Sequence, residues 1–410
     1  MKKILSLLVT TMLIVVSLAG CSSSQGGNET PKLKIGLILV GDENEGYTYA
    51  HIEGIKEAAK ANGISDDQLV WKYTIGETQA CYDAAVDLVE NGCTAVFSNS
   101  YGHQSYMQEA AKEYPDVSFV AATGDTAAIS GLPNFSNAFT RVYQSRYVSG
   151  VVAGMKLAEL EKEGKIPTES YKDGKVLIGY VGAFPYAEVM SGFTSFFLGV
   201  KSVFENVTME VVYTNSWFDF IAEGEAANTL MADHCVIIGQ HADSTGAPAA
   251  VEAAQKNGTV AYSVGYNIDM LSVAPNAALT SATNNWGVYY TYAFGQLLKG
   301  EKIVTDWSEG YDTDAVAITA LGSSCAAGTK EVVEKTIADI KSGAIQVFDT
   351  DTWTVDGKHL DTLYIDLDGD FKADPNSSVD KNAIWDGYFH ESEFRSAPSF
   401  ATLIDGIFEK

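Results

Sequence analysis

Short, continuously apolar runs alternate along most of this chain with longer segments whose apolar positions recur at helical spacing. Residues 32–40, 68–74, 94–98, 117–122 and 135–140 read as strands, and 48–62, 77–91 and 102–114 as the helices between them. Strands apolar on both faces belong in buried parallel sheets, so this is a βα series. A long helix, 143–162, and a polar linker, 163–174, lead into a second series. Its strands are 176–181, 208–213, 235–238 and 259–264, with helices near 185–204, 221–232 and 245–257. The stretch 278–292 begins as a strand, breaks at Thr283-Asn284-Asn285 and starts an aromatic-rich helix with Trp286 in its first turn. A strand feeding a new helix this late is expected to return the chain from the second half to the first, with Trp286 at the mouth between them.

The pattern therefore predicts an α/β protein of two lobes that bend about a hinge. One lobe takes 32–140 plus 284–311, the other 141–283 plus 312–347. Residues 348–410 leave the rhythm: 353–359 and 364–371 read as hairpins turning on Asp-Gly, in an extension packed on the lobes. Asp366, Asp368 and Asp370 begin as a calcium loop would, but Phe371 stands where glycine is needed and Ser377 where the bidentate glutamate belongs. A plain turn, with no metal, is the expectation.

The first twenty residues stand apart from this pattern. Lys2-Lys3, an apolar segment and Leu18-Ala19-Gly20-Cys21 make a signal peptide whose lipobox, 18–21, ends on a cysteine. The apolar segment falls short of the roughly 20 residues that span a bilayer. Cleavage and acylation at Cys21, followed by the Ser/Gly-rich tether 21–31, would hang the protein from a membrane on its extracytoplasmic side. A formal charge of −26 disfavours nucleic acid as a partner. Cys81, Cys93, Cys235 and Cys325 show neither CxxC nor zinc-finger spacing and read as packing thiols.

No GxSxG, HExxH, Walker-type or GxGxxG motif occurs, and six scattered histidines offer no metal spacing. Neither catalysis nor a cofactor is expected. Ligands of open α/β sheets bind beyond the carboxyl ends of the strands. The loops there carry aromatics beside single polar side chains: Tyr47, Tyr101, Phe184, Trp217, Asp243, Asp269, Asn285 and Trp286. Flat rings with a few hydrogen-bonding groups suit a planar heterocycle or a sugar, and the loops lack the clustered basic residues a phosphate would need. The plain alternatives are packing for Trp217, Phe184 and Tyr101, an N-cap for Asp243, and a turn for Asp269.

Eight segments carry a resemblance, in order from about residue 33 to about 345: Gly46-Tyr-Thr-Tyr-Ala-His51, Ser100-Tyr-Gly102, Arg146-Tyr-Val-Ser-Gly-Val-Val-Ala-Gly154, Ala183-Phe-Pro-Tyr-Ala-Glu-Val189, Asn215-Ser-Trp-Phe-Asp219, Gln240-His-Ala-Asp-Ser244, Asp269-Met270 and Asn285-Trp-Gly-Val-Tyr-Tyr290. Together they resemble the basic membrane protein family of substrate-binding lipoproteins, which includes bacterial purine-nucleoside receptors. The resemblance implies a type I periplasmic-binding-protein fold, two Rossmann-like lobes joined by hinge crossovers. It also implies a role delivering a purine nucleobase or nucleoside to an ABC transporter permease. Carried over by position, Trp286, Tyr47 and Trp217 are expected to stack on the base, with Tyr101 and Phe184 behind them. Asp243, Asp269 and Asn285 are expected to hold its edges. Tyr47 stands where close relatives have Trp, and Val288 where they have Pro. Asn284-Asn285 stands where the nucleoside receptors carry a lysine, which favours a free base. Alternatives are a receptor or sensor for another small solute (a sugar, an amide, a flavin-like ring) and, further off, an extracellular nucleoside hydrolase.

Overall fold

Parallel strand pairing organises both halves. The structure, a computed structural model, describes residues 33–370 and 372–410. The signal peptide, its lipobox with Cys21, and the tether lie outside the described residues. The first sheet has six strands, all paired in parallel. From one edge they run Asp306–Trp307, Phe135–Ala138, Ser118–Ala122, Ala95–Ser98, Ile35–Ile38, Leu69–Lys72. One face packs against the helices Gly46–Asn62 and Trp286–Lys299, the other against Gln79–Glu90 and Gln104–Glu113. Two covered faces explain why these strands are apolar throughout rather than alternating.

The second sheet runs Val316–Ile318, Ala278–Asn284, Tyr262–Tyr266, Ile237–Gln240, Lys175–Gly182, Val207–Tyr213, Ile407–Glu409. Only Val316–Ile318 and the short Tyr171–Lys172, beside Lys175–Gly182, pair antiparallel. Tyr171–Lys172 turns into its partner through Asp173 and Gly174, both at positive φ, inside the stretch expected to be a polar linker.

The chain crosses between the sheets near residues 139–141, 285 and 308–315. Short polar bonds tie these crossings together. Thr140 Oγ1 donates to Asn284 Oδ1, and Asn284 Nδ2 donates to Tyr266 Oη at 3.2 Å. Arg141 N donates to Glu309 O at 2.7 Å, and Asn285 N to Ala315 O at 2.8 Å. Phe139, Val142, Tyr266, Ala282 and Ala397 fill the space between as a small apolar cluster of their own.

The tail differs from expectation in two places. Tyr364–Ile365 pairs with Lys381–Asn382 and not across Asp368-Gly369. The tight Asp-Gly hairpin is instead Ile384–Trp385 with Tyr388–Phe389, where Asp386 and Gly387 take positive φ. A second such turn, Asp356-Gly357, closes the bridge between Val355 and Lys358, within the expected 353–359 hairpin.

In the second lobe, the helices Val142–Lys162 and Ala187–Lys201 lie against each other because glycines face each other at their crossing. A Cβ at Gly199 would sit 2.0 Å from Tyr147 O, and one at Gly150 would sit 2.1 Å from Phe196 O. The obstructing atoms are backbone, so the helices would have to separate. Gly199→Ala should therefore cost about 1–3 kcal/mol, an overpacking penalty. Urea denaturation measures it, and an unchanged midpoint would show that the crossing tolerates a methyl group.

Candidate functional site

Between the two sheets, at the carboxyl ends of their strands, lies a cleft of about 1150 Å³. A small heterocycle or sugar fits within such a volume. On the first lobe its wall is made by Tyr47, Tyr101 and Phe139, with Asn99, Thr123 and Asp125 beside them. The second lobe contributes Phe184, Tyr186, Trp217 and Tyr266, with Glu188, His241 and Asp243.

The aromatics are held in fixed attitudes. Phe184 stacks on Tyr186 at 5.2 Å and 15° and meets Trp217 edge-on at 5.0 Å. Tyr186 faces Tyr101 of the other lobe at 5.7 Å. The Trp217 loop is pinned by its own carbonyl, which accepts from Asp243 N at 2.7 Å. Tyr47 donates its hydroxyl to Asn99 O, and Asn99 Oδ1 in turn accepts from Val40 N at 2.8 Å.

Of the eight expected ligand residues, the structure brings Tyr47, Tyr101, Phe184, Trp217 and Asp243 to the cleft wall, and leaves three elsewhere. Trp286 is 1% exposed and stacks at 4.1 Å on His51, whose edge meets Tyr47 at 4.6 Å. It is therefore set back behind His51. The cause is the helix crossing beneath it: Gly54 lets the 286–299 helix approach so closely that a Cβ there would lie 2.7 Å from Gly287 N. Asn285 Nδ2 donates to Asp314 O at 3.0 Å, at the hinge crossing. Asp269 is exposed and accepts from Leu271 N at 2.8 Å, as a turn residue does. Asp243 is not the N-cap: Thr245 occupies that position, and Asp243 Oδ1 accepts instead from Asn267 Nδ2 at 2.6 Å.

Sequence reasoning missed Glu45, Glu188, His241, Tyr266 and Asp125. Glu45, Glu188 and His241 belong to segments already singled out or border one, and Tyr266 follows the expected strand 259–264, so strand-end position was their signal. They make the site electrostatically distinctive. His241 donates Nε2–H to Glu188 at 2.7 and 2.9 Å. Burial and the nearby Arg146 cation lower the His241 pKa, favouring the neutral ring. Arg146 lies behind, its guanidinium 3.8 Å above the Tyr266 ring, donating to Tyr180 Oη at 2.6 Å and Gln240 O at 2.9 Å. Burial works against ionisation of Glu188, but His241 and Arg146 outweigh it and hold that carboxyl below its usual range. For Asp243 the balance is reversed: burial, then the charges of Glu45, Glu223 and Glu188, push its carboxyl well up.

Near the cleft mouth the carboxylates of Asp366, Asp368 and Asp380 approach within 4.8 Å of one another. They accept backbone N–H groups of their own loop: Gly369 on Asp366, Asp370 on Asp368, and Leu367 and Asp374 on Asp380. The bonds to Asp366 and Asp368 are local turn bonds, and those to Asp380 tie the ends of the loop together.

The sequence signature described as ABC transporter substrate-binding protein PnrA-like matches residues 32–351. The chain belongs to this family. Similar proteins include a purine-binding protein of Brucella abortus, 31% identical over 337 residues, covering 82% of this chain and 89% of the other. A Haloferax volcanii protein, provisionally assigned as an ABC transporter glucose-binding protein, is 28% identical over 304 residues, 74% of this chain and 70% of its own. Among solved structures, an ABC transporter solute-binding protein from Aeropyrum pernix superposes with a TM-score of 0.63 at 14% identity, covering 77% of this chain and 93% of the other. The architecture is the two-lobed type I periplasmic-binding fold, and the family consists of substrate-binding proteins. No helix among the described residues is long and apolar enough to cross a membrane.

The buried carboxyls set a pH dependence. Burial pushes Glu223, which accepts Ser244 N at 3.1 Å, up to about 7. The folded protein then retains a proton that the unfolded chain gives up near its ordinary value of about 4.3. Stability should therefore fall as pH rises from about 4.5 to 7, by up to about 3 kcal/mol for this group. Denaturant midpoints across that range test it; Glu223→Gln should flatten the slope, and an unchanged slope would contradict the assignment.

Proposed function

We propose that this protein is an extracytoplasmic, lipid-anchored receptor that binds a purine nucleobase or nucleoside between its lobes and hands it to an ABC permease. The observation that carries the ligand reading is the pairing of a fixed aromatic wall, Phe184, Tyr186 and Trp217, with inward carboxyls at Asp243, Glu45 and Asp125. A planar ring gains dispersion and stacking on such a wall, while carboxyls accept from ring or exocyclic N–H groups. The acidic lining disfavours a phosphorylated ligand, so a base or nucleoside fits where a nucleotide does not. Asn284 is engaged in the hinge, to Thr140 and Tyr266, and is not a substitute for a ribose-binding lysine, which favours the free base. The purine-binding Brucella relative supports the same class. Anchoring rests on the Leu18-Ala19-Gly20-Cys21 lipobox. A second reading, a hexose, draws on the Haloferax relative and on the affinity of aromatic faces for sugar rings.

Isothermal titration of the mature protein with adenine, hypoxanthine, guanine, their nucleosides and glucose separates the two. Heat from a purine is expected, and heat from glucose alone would overturn the purine reading. Trp217→Ala should weaken purine binding by about 1–3 kcal/mol, roughly ten- to a hundredfold, through lost stacking. Trp286→Ala should act differently, costing about 3–5 kcal/mol of stability as a buried large-to-small change. Its Kd, measured below its Tm, should remain near wild type. A hundredfold loss of affinity at unchanged Tm would instead put Trp286 against the ligand.

A further inference from the structure

Residues 352–410 lie beyond the matched stretch 32–351, yet they form part of the cleft. The segment is founded on the second lobe. Phe389 and Phe400 pack on Phe348, Trp353 meets Phe400 edge-on, and Ile407–Glu409 adds a parallel strand beside Val207–Tyr213. The Glu391 carboxylate accepts from Ser191 Oγ at 2.7 Å and from Phe400 N at 3.0 Å.

From that base it reaches the first lobe. Ser396 N donates to Asp306 Oδ1 at 2.9 Å, Ala397 enters the hinge cluster, and Arg395 pairs with Asp125 at 3.4 Å. Arg395 is the one lysine or arginine on the cleft wall among the described residues. Its side chain is 10% exposed; Nη1 donates to Asp366 O at 2.9 Å, while Nε is buried without a partner. Asp125 is itself held by Gln104 Nε2 at 3.0 Å and Tyr101 Oη at 3.3 Å, so the guanidinium is fixed beside one of the cleft aromatics. Arg395 is thus a single cation held at the cleft wall by Asp125 and the Asp366 carbonyl, in a lining whose other charged groups are mostly carboxyls.

We propose that this C-terminal segment is a third wall of the ligand site and that Arg395 selects the ligand, donating to an edge rich in hydrogen-bond acceptors. On the purine reading, on which this inference rests, that edge is the O6/N7 side of a 6-oxopurine, whose two acceptors match the guanidinium fork. Adenine presents an amino donor at position 6 and gains less.

The test is titration of wild type, Arg395→Met and Arg395→Lys with hypoxanthine, guanine and adenine, alongside Tm and a co-crystal structure with hypoxanthine. Wild type should prefer the oxopurines. Arg395→Met should weaken them on the order of tenfold or more while adenine changes less than about threefold, with Arg395→Lys in between. Equal losses for all three bases, or none, would make Arg395 scaffolding and overturn the proposal. Should Arg395→Met fail to fold, the wild-type co-crystal decides: a base without contact to Arg395 has the same consequence. If wild type binds no purine, the purine reading falls separately, and contact with Arg395 is then judged on the compound released from freshly purified protein.

Discussion

The structure depends most on the place where three crossings of the chain are bound side by side. Two sheets that share a cleft must be joined stiffly enough to align and loosely enough to bend. Here the joint is a handful of groups: the Thr140–Asn284–Tyr266 chain of hydrogen bonds, and the cluster of Phe139, Val142, Tyr266, Ala282 and Ala397. Little apolar area is buried there compared with either lobe, and polar bonds of fixed direction supply the alignment. Tyr266 belongs both to this joint and to the cleft wall, so closure and ligand contact share a side chain. In such folds a ligand that touches both lobes biases the bending equilibrium by its extra contacts in the closed state.

Behind the cleft lies a second constraint, the concentration of buried charge. Arg146, fixed under Tyr266, compensates Glu188, and the neutral His241 sits between as a donor. Asp243, buried among Glu45, Glu223 and Glu188, holds its proton more tightly. The same pocket thus contains one carboxylate kept ionised by His241 and Arg146 and one carboxyl pushed towards the neutral form by burial among other carboxylates.

Much of the fold was legible because buried parallel strands must be apolar on both faces, and runs such as 35–38 and 176–181 announce that directly. The strands 306–307, 316–318 and 407–409 were not legible, since two or three residues carry no period and their pairing partners are far off in sequence. In the site, strand-end position identified Tyr47, Tyr101, Phe184, Trp217 and Asp243 as wall residues. The same reasoning put Trp286 at the mouth, whereas it is buried against His51, because an aromatic in a first helical turn has two sides to face and Gly54 lets the neighbouring helix close over it. Arg395 gave no signal at all: it sits outside the periodic stretch, and only the return of the tail across the hinge brings it to the cleft.

That return has a bearing on the order in which the protein can be assembled. The second sheet takes its edge strand from residues 407–409, and the first takes one from 306–307. Each sheet's last strand follows its pairing partner at long range, Asp306 opposite Asn137 and Ile407 opposite Met209. Pairings of such long range form slowly, because a large loop must close before any bond rewards it. The strands between residues 35 and 138 pair among themselves, so what waits for the later chain is the last edge of each sheet and the third wall of the cleft.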